Sequence, residues 1–179
     1  MRRVLPRVNL QANDFELFGL TQKFSQDRAA IDARWKALQR EAHPDKFAAQ
    51  SASAQRMAMQ WSVRINEAYQ RLKDPLKRAA YLCEVNGAPV NGENNTAMPA
   101  SFLMQQIEWR EALDEAKTVE NLDEIALKTN EYECKQLLNI EQAIDAQHNF
   151  KLAVEHVRSL MFVERFASEV DARLDRLQQ

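Results

Sequence analysis

Two apolar stripes, separated by a short polar stretch, most constrain what this chain can fold into. Before and after the stretch, apolar side chains recur at intervals of three and four residues, which is the spacing of one face of a helix. The two stripes are Ile31, Trp35, Leu38 and Ala42, and then Ala58, Ser62, Ile65, Tyr69 and Leu72. Neither helix can bury such a face alone. The sequence therefore predicts two amphipathic helices packed as an antiparallel hairpin.

The polar stretch between the stripes, residues 42–47, reads Ala-His-Pro-Asp-Lys-Phe. Pro44 has no N–H to donate and restricts the residue before it, so the first long helix ends at about residue 42. We therefore expect His43 and Asp45 to lie at a fixed, exposed tip of the hairpin.

Lys36 and Arg40 lie four residues apart, away from the apolar stripe, and lead toward this tip. One interpretation is a solvated polar face beside an ordinary turn. A second is a surface for an acidic protein, in which the carboxylate of Asp45 accepts hydrogen bonds from an arginine of the partner. A third is a helical nucleic-acid-binding protein that uses these cations as a phosphate stripe, which the acidic second half of the chain argues against.

The tripeptide His43-Pro44-Asp45 between two amphipathic helices resembles the J-domain, the part of a co-chaperone that stimulates the ATPase of a DnaK-class chaperone. The same domain is suggested by apolar residues of a short first helix and by residues ahead of the tripeptide. These are Phe15, Leu17, Phe18, Leu20, Trp35, Lys36, Leu38 and Arg40. The resemblance implies that His43, Pro44, Asp45, Lys36 and Arg40 bind the chaperone.

Further helices are predicted on both sides of the hairpin. A short first helix has Asn13 or Asp14 as its N-cap and ends at Gly19, and Asp27 caps the second helix. The third runs from about Ser53 to Lys73, and a fourth from about 76 to 84 follows an Asp-Pro break. The second half is predicted to contain helices at about 101–117, 121–146 and 149–176, with Ser101 and Asn121 as caps of the first two. Short loops and three apolar stripes indicate an antiparallel three-helix bundle.

In this second half, the stretch at 102–111, Phe-Leu-Met-Gln-Gln-Ile-Glu-Trp-Arg-Glu, carries two interpretations. By pattern alone, its Leu, Met and Ile stripe is typical of bundle core. Three other features accompany this stretch: the J-domain features, Phe47 directly after Lys46, and the absence of a Gly/Phe-rich segment. Taken together, they make the chain resemble the HscB family from about Asp14 to the C-terminus. These are J-type co-chaperones of iron–sulfur cluster assembly.

The HscB resemblance implies a co-chaperone adaptor that has no catalytic activity. Its partners are expected to be the DnaK-class chaperone HscA and the iron–sulfur scaffold IscU, with assistance to cluster maturation and transfer as the outcome. The positions that match the scaffold contact of the family are Leu103, Met104, Ile107, Glu108, Glu111 and Phe162. Gln105 and Trp109 depart from the acidic and smaller residues common in the family at the edge of that contact.

The charge distribution agrees with two different binding surfaces. Residues 1–84 hold 15 Lys and Arg against 9 Asp and Glu, a net charge of +6, whereas residues 85–179 hold 9 against 17, a net charge of −8. Residues 85–100 contain Asn-Gly, Asn-Asn and proline turn signals without a flexible Gly/Ser repeat. We therefore predict an all-α protein with a J-domain at 1–84, a connecting loop at 85–100 and a scaffold-binding three-helix bundle at 101–179.

Several functional classes are disfavoured by composition and spacing. Cys83 and Cys134 lack CxxC spacing, which argues against a zinc site and suits a reducing compartment. Apolar runs are too short and too charged for a membrane span. No glycine-rich phosphate loop or paired nucleophile is present, and His148 and His156 have no other evident ligands. We therefore expect a bacterial cytoplasmic protein that is not an enzyme, with no metal or cofactor, and with no nucleic-acid or membrane partner.

Overall fold

The computed structural model describes residues 11–90 and 100–178, and within these ranges every regular element is a helix. The α-helices are α1 (Asp14–Phe18), α2 (Arg28–Ala42), α3 (Ala52–Lys73), α4 (Pro75–Val85), α5 (Ala100–Glu115), α6 (Val119–Glu141) and α7 (Phe150–Leu177). A 3₁₀ turn spans Pro44–Phe47, and a π-helical turn spans Gln142–Ala146. The predicted all-α class, a J-domain hairpin followed by a three-helix bundle, is confirmed.

The chain divides into two compact units within α4, between Tyr81 and Leu82. Helix α4 itself continues to Val85, and residues 91–99 of the predicted connecting loop lie outside the described residues. The domain limits proposed from the sequence, with their connecting loop at 85–100, therefore stay a prediction.

The core of the first unit lies between α2 and α3, as the two apolar stripes predict. Fully buried members of both stripes meet here, namely Ile31, Leu38, Ala42, Ala58, Ile65 and Leu72. Near the middle of α2, Trp35 stacks on Tyr69 of α3 with ring centroids 4.6 Å apart. Helix α1 adds Phe15, Leu17 and Phe18, each 1% exposed, to the same core. Apolar burial on this scale is the main source of stability for the hairpin.

A buried carboxylate ties α1 to α3. Asp14 is 0% exposed and lies 2.6 Å from Nη1 of Arg64, and it accepts two hydrogen bonds from Arg71 at 2.5 and 3.0 Å. The Asp14 N–H also donates to the Tyr81 hydroxyl at 3.0 Å. Removing one partner from such a buried ionic group leaves an uncompensated charge, which costs about 3–5 kcal/mol. Asp14 therefore anchors the short helix α1, which is too short to be stable on its own.

The predicted caps of the first unit are confirmed. Asn13 caps α1 in a reciprocal arrangement, in which its side chain accepts from the Glu16 N–H at 2.9 Å and the Glu16 carboxylate accepts from the Asn13 N–H at 3.1 Å. Gly19 ends the helix at φ +63°, a left-handed conformation that suits glycine. The side chain of Asp27 accepts from the Ala29 N–H at 2.8 Å and starts α2.

In the second unit, α5, α6 and α7 surround one apolar core. Its buried members are Phe102, Trp109, Leu113, Ala116, Leu122, Ile125, Val163, Phe166 and Val170. The aromatic rings pack in series: Trp109 stacks on Phe166 at 5.6 Å, and Phe102 stacks on Tyr132 at 5.5 Å. This aromatic series fixes which side of α5 faces the bundle.

Two predicted caps in the second unit are wrong. Ser101 lies inside α5, which already starts at Ala100. Asn121 lies in the first turn of α6, where its N–H donates to the Thr118 hydroxyl at 3.3 Å, so Thr118 is the cap. A side chain caps a helix by accepting from an N–H two or three positions later, and Thr118 satisfies this geometry with Asn121 as the donor.

The turn between α6 and α7 also differs from the prediction. The α-helical pattern ends at Glu141 and a π-helical turn continues to Ala146, where the sequence predicts one helix to 146. The Gln147 N–H donates to the Gln142 carbonyl at 3.0 Å, the wider spacing of such a turn. His148 then adopts φ +50°, and Asn149 caps α7 by accepting from the Leu152 N–H at 3.1 Å.

Candidate partner-binding surfaces

The tip of the hairpin in the first unit presents two polar side chains to solvent. The side chains of His43 and Asp45 are 54% and 89% exposed. The Asp45 N–H points at Nδ1 of His43 at 3.3 Å, so this ring nitrogen acts as the acceptor. Phe47, which ends the 3₁₀ turn begun at Pro44, is only 2% exposed and anchors the turn in the core. The predicted exposure of this tip is confirmed, and neither polar side chain is needed to fill the hairpin core.

The two cations predicted to lead toward the tip, Lys36 and Arg40, are exposed on α2. Among the described residues, neither forms an ion pair within 4 Å. The neighbouring face of α2 is occupied by contacts with α3: the Trp35 indole N–H donates to the Asn66 side-chain oxygen at 2.9 Å, and the Gln39 amide donates to the same oxygen at 2.6 Å. These contacts orient α2 so that its cations face solvent.

In the second unit, three large apolar side chains of α5 face solvent rather than the core. Leu103 is 46% exposed, Met104 is 60% exposed and Ile107 is 52% exposed. The interpretation of this stripe as bundle core is therefore wrong. Helix α5 carries apolar residues around most of its circumference, and Phe102, Trp109 and Leu113 are the large ones that enter the core. Exposed apolar side chains grouped in this way are typical of protein interaction sites.

Part of this apolar surface forms one wall of a groove of about 450 Å³ against α7. The groove is lined by Leu103, Gln106, Ile107, Arg110, Glu111, Asp114 and Phe162. The structure thus brings together four of the six predicted scaffold-binding residues, although α5 and α7 are far apart in the sequence. Met104 and Glu108 are exposed on α5 but do not line the groove.

Phe162 differs from the α5 residues in being half-buried. Its ring packs edge-on against Phe102 at 5.7 Å and stacks on Phe166 at 6.2 Å. It is both a wall of the groove and part of the packing of the bundle. A substitution at Phe162 therefore affects the stability of the unit as well as the groove.

Sequence reasoning missed Arg110 and Glu169 at this groove. The Arg110 guanidinium lies over the rings of Phe162 and Phe166, 5.9 and 5.4 Å from their centroids. It donates two hydrogen bonds to the Glu169 carboxylate, Nη1 to Oε2 and Nη2 to Oε1, the second at 3.1 Å. This hydrogen-bonded pairing raises the pKa of Arg110 above its ordinary value. No spacing rule links residues on two different helices, so no local signal in the sequence points to this pair.

The two α5 residues that depart from the family pattern have different environments. Trp109 is 5% exposed and packs edge-on against Tyr132 at 5.1 Å, in addition to its stack on Phe166. Gln105 is half-buried, and its amide donates to the Glu108 carboxylate at 3.1 Å. Trp109 therefore belongs to the bundle core, and its larger ring fills space between α5, α6 and α7.

A second, polar cavity of about 360 Å³ lies in the same unit. Its lining includes His156, whose Nδ1 lies 2.9 Å from the side-chain oxygen of Gln136, and burial lowers the pKa of this histidine. Within residues 11–90 and 100–178, no group of three or more His, Cys, Asp and Glu side chains is arranged to hold a metal ion. Burial raises the pKa of the Cys83 thiol to about 11, so this cysteine is a poor nucleophile at neutral pH.

None of the helices in the described ranges has the length and hydropathy needed to cross a membrane.

Comparison with known proteins gives concordant results. Residues 98–171 match the sequence model of the HSCB C-terminal oligomerisation domain. The co-chaperone protein HscB homolog of Burkholderia multivorans is 44% identical over 174 residues, which cover 96% of this chain and 99% of that protein. The homolog of Burkholderia cenocepacia is 43% identical with the same coverage.

Two solved structures share the fold. The chaperone HscB from Vibrio cholerae is 34% identical, with a TM-score of 0.80, over 93% of this chain and 99% of that chain. The human co-chaperone protein HscB has a TM-score of 0.88 over 97% of this chain and 90% of that chain, and its 24% identity shows likeness of fold. With relatives above 40% identity over nearly the full length, the chain belongs to the HscB family of co-chaperones.

Proposed function

We propose that this co-chaperone stimulates the ATPase of a DnaK-class chaperone, HscA, and delivers the scaffold IscU to it, assisting maturation and transfer of iron–sulfur clusters. The protein acts as an adaptor in the cytoplasm and is not itself an enzyme. The names of the matched relatives support a co-chaperone over the alternative of a nucleic-acid-binding protein.

The chaperone contact is proposed for the first unit. His43 and Asp45 present polar atoms at the exposed tip, and the cations Lys36 and Arg40 lie on the exposed face of the helix that leads to it. Cations on a surface attract an acidic partner over several ångströms and orient its approach. The tip then offers specific hydrogen-bonding groups at short range. The HscB resemblance assigns the same residues to this contact.

The scaffold contact is proposed for the second unit, and the observation that carries it is the exposure of Leu103, Met104 and Ile107 beside the groove. A helix that already buries Phe102, Trp109 and Leu113 has no structural need for three further apolar side chains in water. Interface centres typically consist of such apolar anchors surrounded by polar residues. Glu108 and Glu111 supply polar edges on the same helix.

An ATPase assay tests the two contacts together. The rate of ATP hydrolysis by HscA is measured alone, with this protein, and with this protein plus IscU. We expect stimulation by the protein and a further increase with IscU. Asp45→Ala should abolish both increases, whereas Leu103→Ala/Met104→Ala should retain the first and lose the second.

The two variants serve as controls for each other, because each retains the surface that the other has lost. Stimulation by Asp45→Ala equal to that of the wild type would contradict the chaperone contact. An undiminished IscU effect in the α5 variant would contradict the scaffold contact. No stimulation by the wild-type protein would contradict the proposed function as a whole.

A further inference from the structure

A hydrogen-bonded ion pair, Arg110–Glu169, lies beside the apolar groove. Arg110 is the one cation among the residues that line the groove, and two acidic residues, Glu111 and Asp114, line it as well. Glu169 does not line the groove, but it holds the Arg110 guanidinium through two hydrogen bonds. The single positive charge of the groove is therefore paired with a carboxylate, Glu169, that does not line it. The carboxylates of Glu111 and Asp114 form no ion pair within 4 Å among the described residues.

The same contacts fix the position of Arg110. Its guanidinium lies between the Glu169 carboxylate and the ring faces of Phe162 and Phe166, at 5.9 and 5.4 Å from the centroids. A planar guanidinium is well suited to such simultaneous stacking and two-point pairing. Asp114 lies four residues further along α5 and within the lining of the groove, and its charge also raises the pKa of Arg110, so it is an acidic partner available to Arg110 when Glu169 is absent. Arg110 would then neutralise a carboxylate that otherwise faces the partner.

We propose that Glu169 is a positioning residue that holds Arg110 against the aromatic wall, keeps the edge of the groove acidic, and so selects a protein partner with a basic group beside its apolar anchor. This inference rests on the proposed scaffold contact and adds the chemistry by which the groove recognises its partner. Charges at an interface edge act mainly on the association rate and on specificity, and they are screened by salt.

Two substitutions that break the same pair provide the test, because they change the charge of the groove in opposite directions. Glu169→Gln frees Arg110 and makes the edge more positive, whereas Arg110→Gln removes the cation and makes it more negative. Association rates with purified IscU are measured by stopped flow at low and high salt. At low salt, we expect Glu169→Gln to slow association by about twofold to fivefold and Arg110→Gln to leave it unchanged or faster. At high salt, the two association rates should converge.

Three controls separate this mechanism from loss of packing or from net charge alone. Arg110→Met also removes the charge but retains an apolar side chain over the rings, and it should behave like Arg110→Gln. Asp171→Asn removes one negative charge from the exposed surface of the same helix and should slow association less than Glu169→Gln. Thermal unfolding of each variant shows whether the bundle remains folded.

The possible results distinguish this inference from the proposed function. If wild-type protein does not bind IscU, the scaffold contact itself is wrong, and the inference falls with it. If wild-type protein binds but Glu169→Gln and Arg110→Gln slow association equally, the pair has only a structural role. If neither variant changes the rate, or if Asp171→Asn slows it as much as Glu169→Gln, the positioning role of Glu169 is refuted.

Discussion

The exposed apolar pair Leu103 and Met104 allows a quantitative test of the second unit. The perturbation is the double variant Leu103→Ala/Met104→Ala, in which two anchors are truncated but α5 keeps two good helix formers. The same unit offers a matched control in Leu127→Ala/Leu138→Ala, because these two side chains of α6 are 60% and 66% exposed and lie outside the groove. Both variants remove two exposed, long apolar side chains.

The expected size of the effect follows from the exposed fractions. Full burial of a Leu or Met side chain is worth about 1.5–3 kcal/mol. Because Leu103 is 46% exposed and Met104 is 60% exposed, a partner can still cover roughly half of each, which is worth about 0.7–1.8 kcal/mol per side chain. The pair should therefore contribute about 1.5–3.5 kcal/mol to binding, and its loss should weaken affinity by about tenfold to several hundredfold.

Isothermal titration calorimetry with IscU, together with thermal unfolding, measures both quantities. A surface substitution changes the free energy of unfolding by about 0.5 kcal/mol or less. The two substitutions together therefore cost about 1 kcal/mol at most, and the melting temperature of the Leu103→Ala/Met104→Ala variant should fall by no more than about 2–4 °C. Core truncations would instead cost about 2–5 kcal/mol each. Unchanged affinity, or an equal loss of affinity in the Leu127→Ala/Leu138→Ala control, would refute the reasoning.

Three further predictions concern the tip, its cations and the half-buried histidine. His43→Gln and Asp45→Ala should each abolish ATPase stimulation. Circular dichroism should show unchanged helix content, because neither side chain fills the core. Normal stimulation by both variants would count against the J-domain contact. Lys36→Glu with Arg40→Glu should weaken chaperone binding at low salt, and equal binding by this variant in a salt titration would exclude charge steering. Burial lowers the pKa of His156, so the unfolded chain binds the proton first as the pH falls below about 6.5, and unfolding free energy should decrease on acidification. His156→Gln should flatten this decrease in denaturant titrations at pH 7.5 and 5.5, and an unchanged slope would contradict the assignment.

Much of the first unit could be predicted from the sequence because its determinants are local. Helical spacing identifies the stripes of α2 and α3, and Pro44 marks the end of α2. Caps such as Asn13 and Asp27 act on N–H groups only two or three residues away, so their roles are visible in the sequence. The exposure of the tip follows from the same local features.

Residues of α1 and of the α6–α7 turn show where local reasoning ends. From the sequence, Asp14 is a possible cap of α1. In the structure it is buried, and its charge is paired with Arg64 and Arg71 of α3, which come from a distant part of the chain. The π-helical turn at Gln142–Ala146 adds a wider hydrogen-bonded ring that apolar periodicity does not reveal. Both features depend on the packing of neighbouring elements rather than on nearby sequence.

The sequence by itself determined the helical class, the hairpin and the exposed tip, since these depend on spacing and on the backbone chemistry of proline and cap residues. Only the tertiary structure decided which side of α5 meets solvent, because apolar residues surround that helix and periodicity does not choose among them. The choice is made when Phe102 and Trp109 pack into the aromatic series with α6 and α7, which leaves Leu103, Met104 and Ile107 in water. The Arg110–Glu169 pair is likewise decided by tertiary structure, since a hydrogen bond between two helices requires the bundle that brings them together.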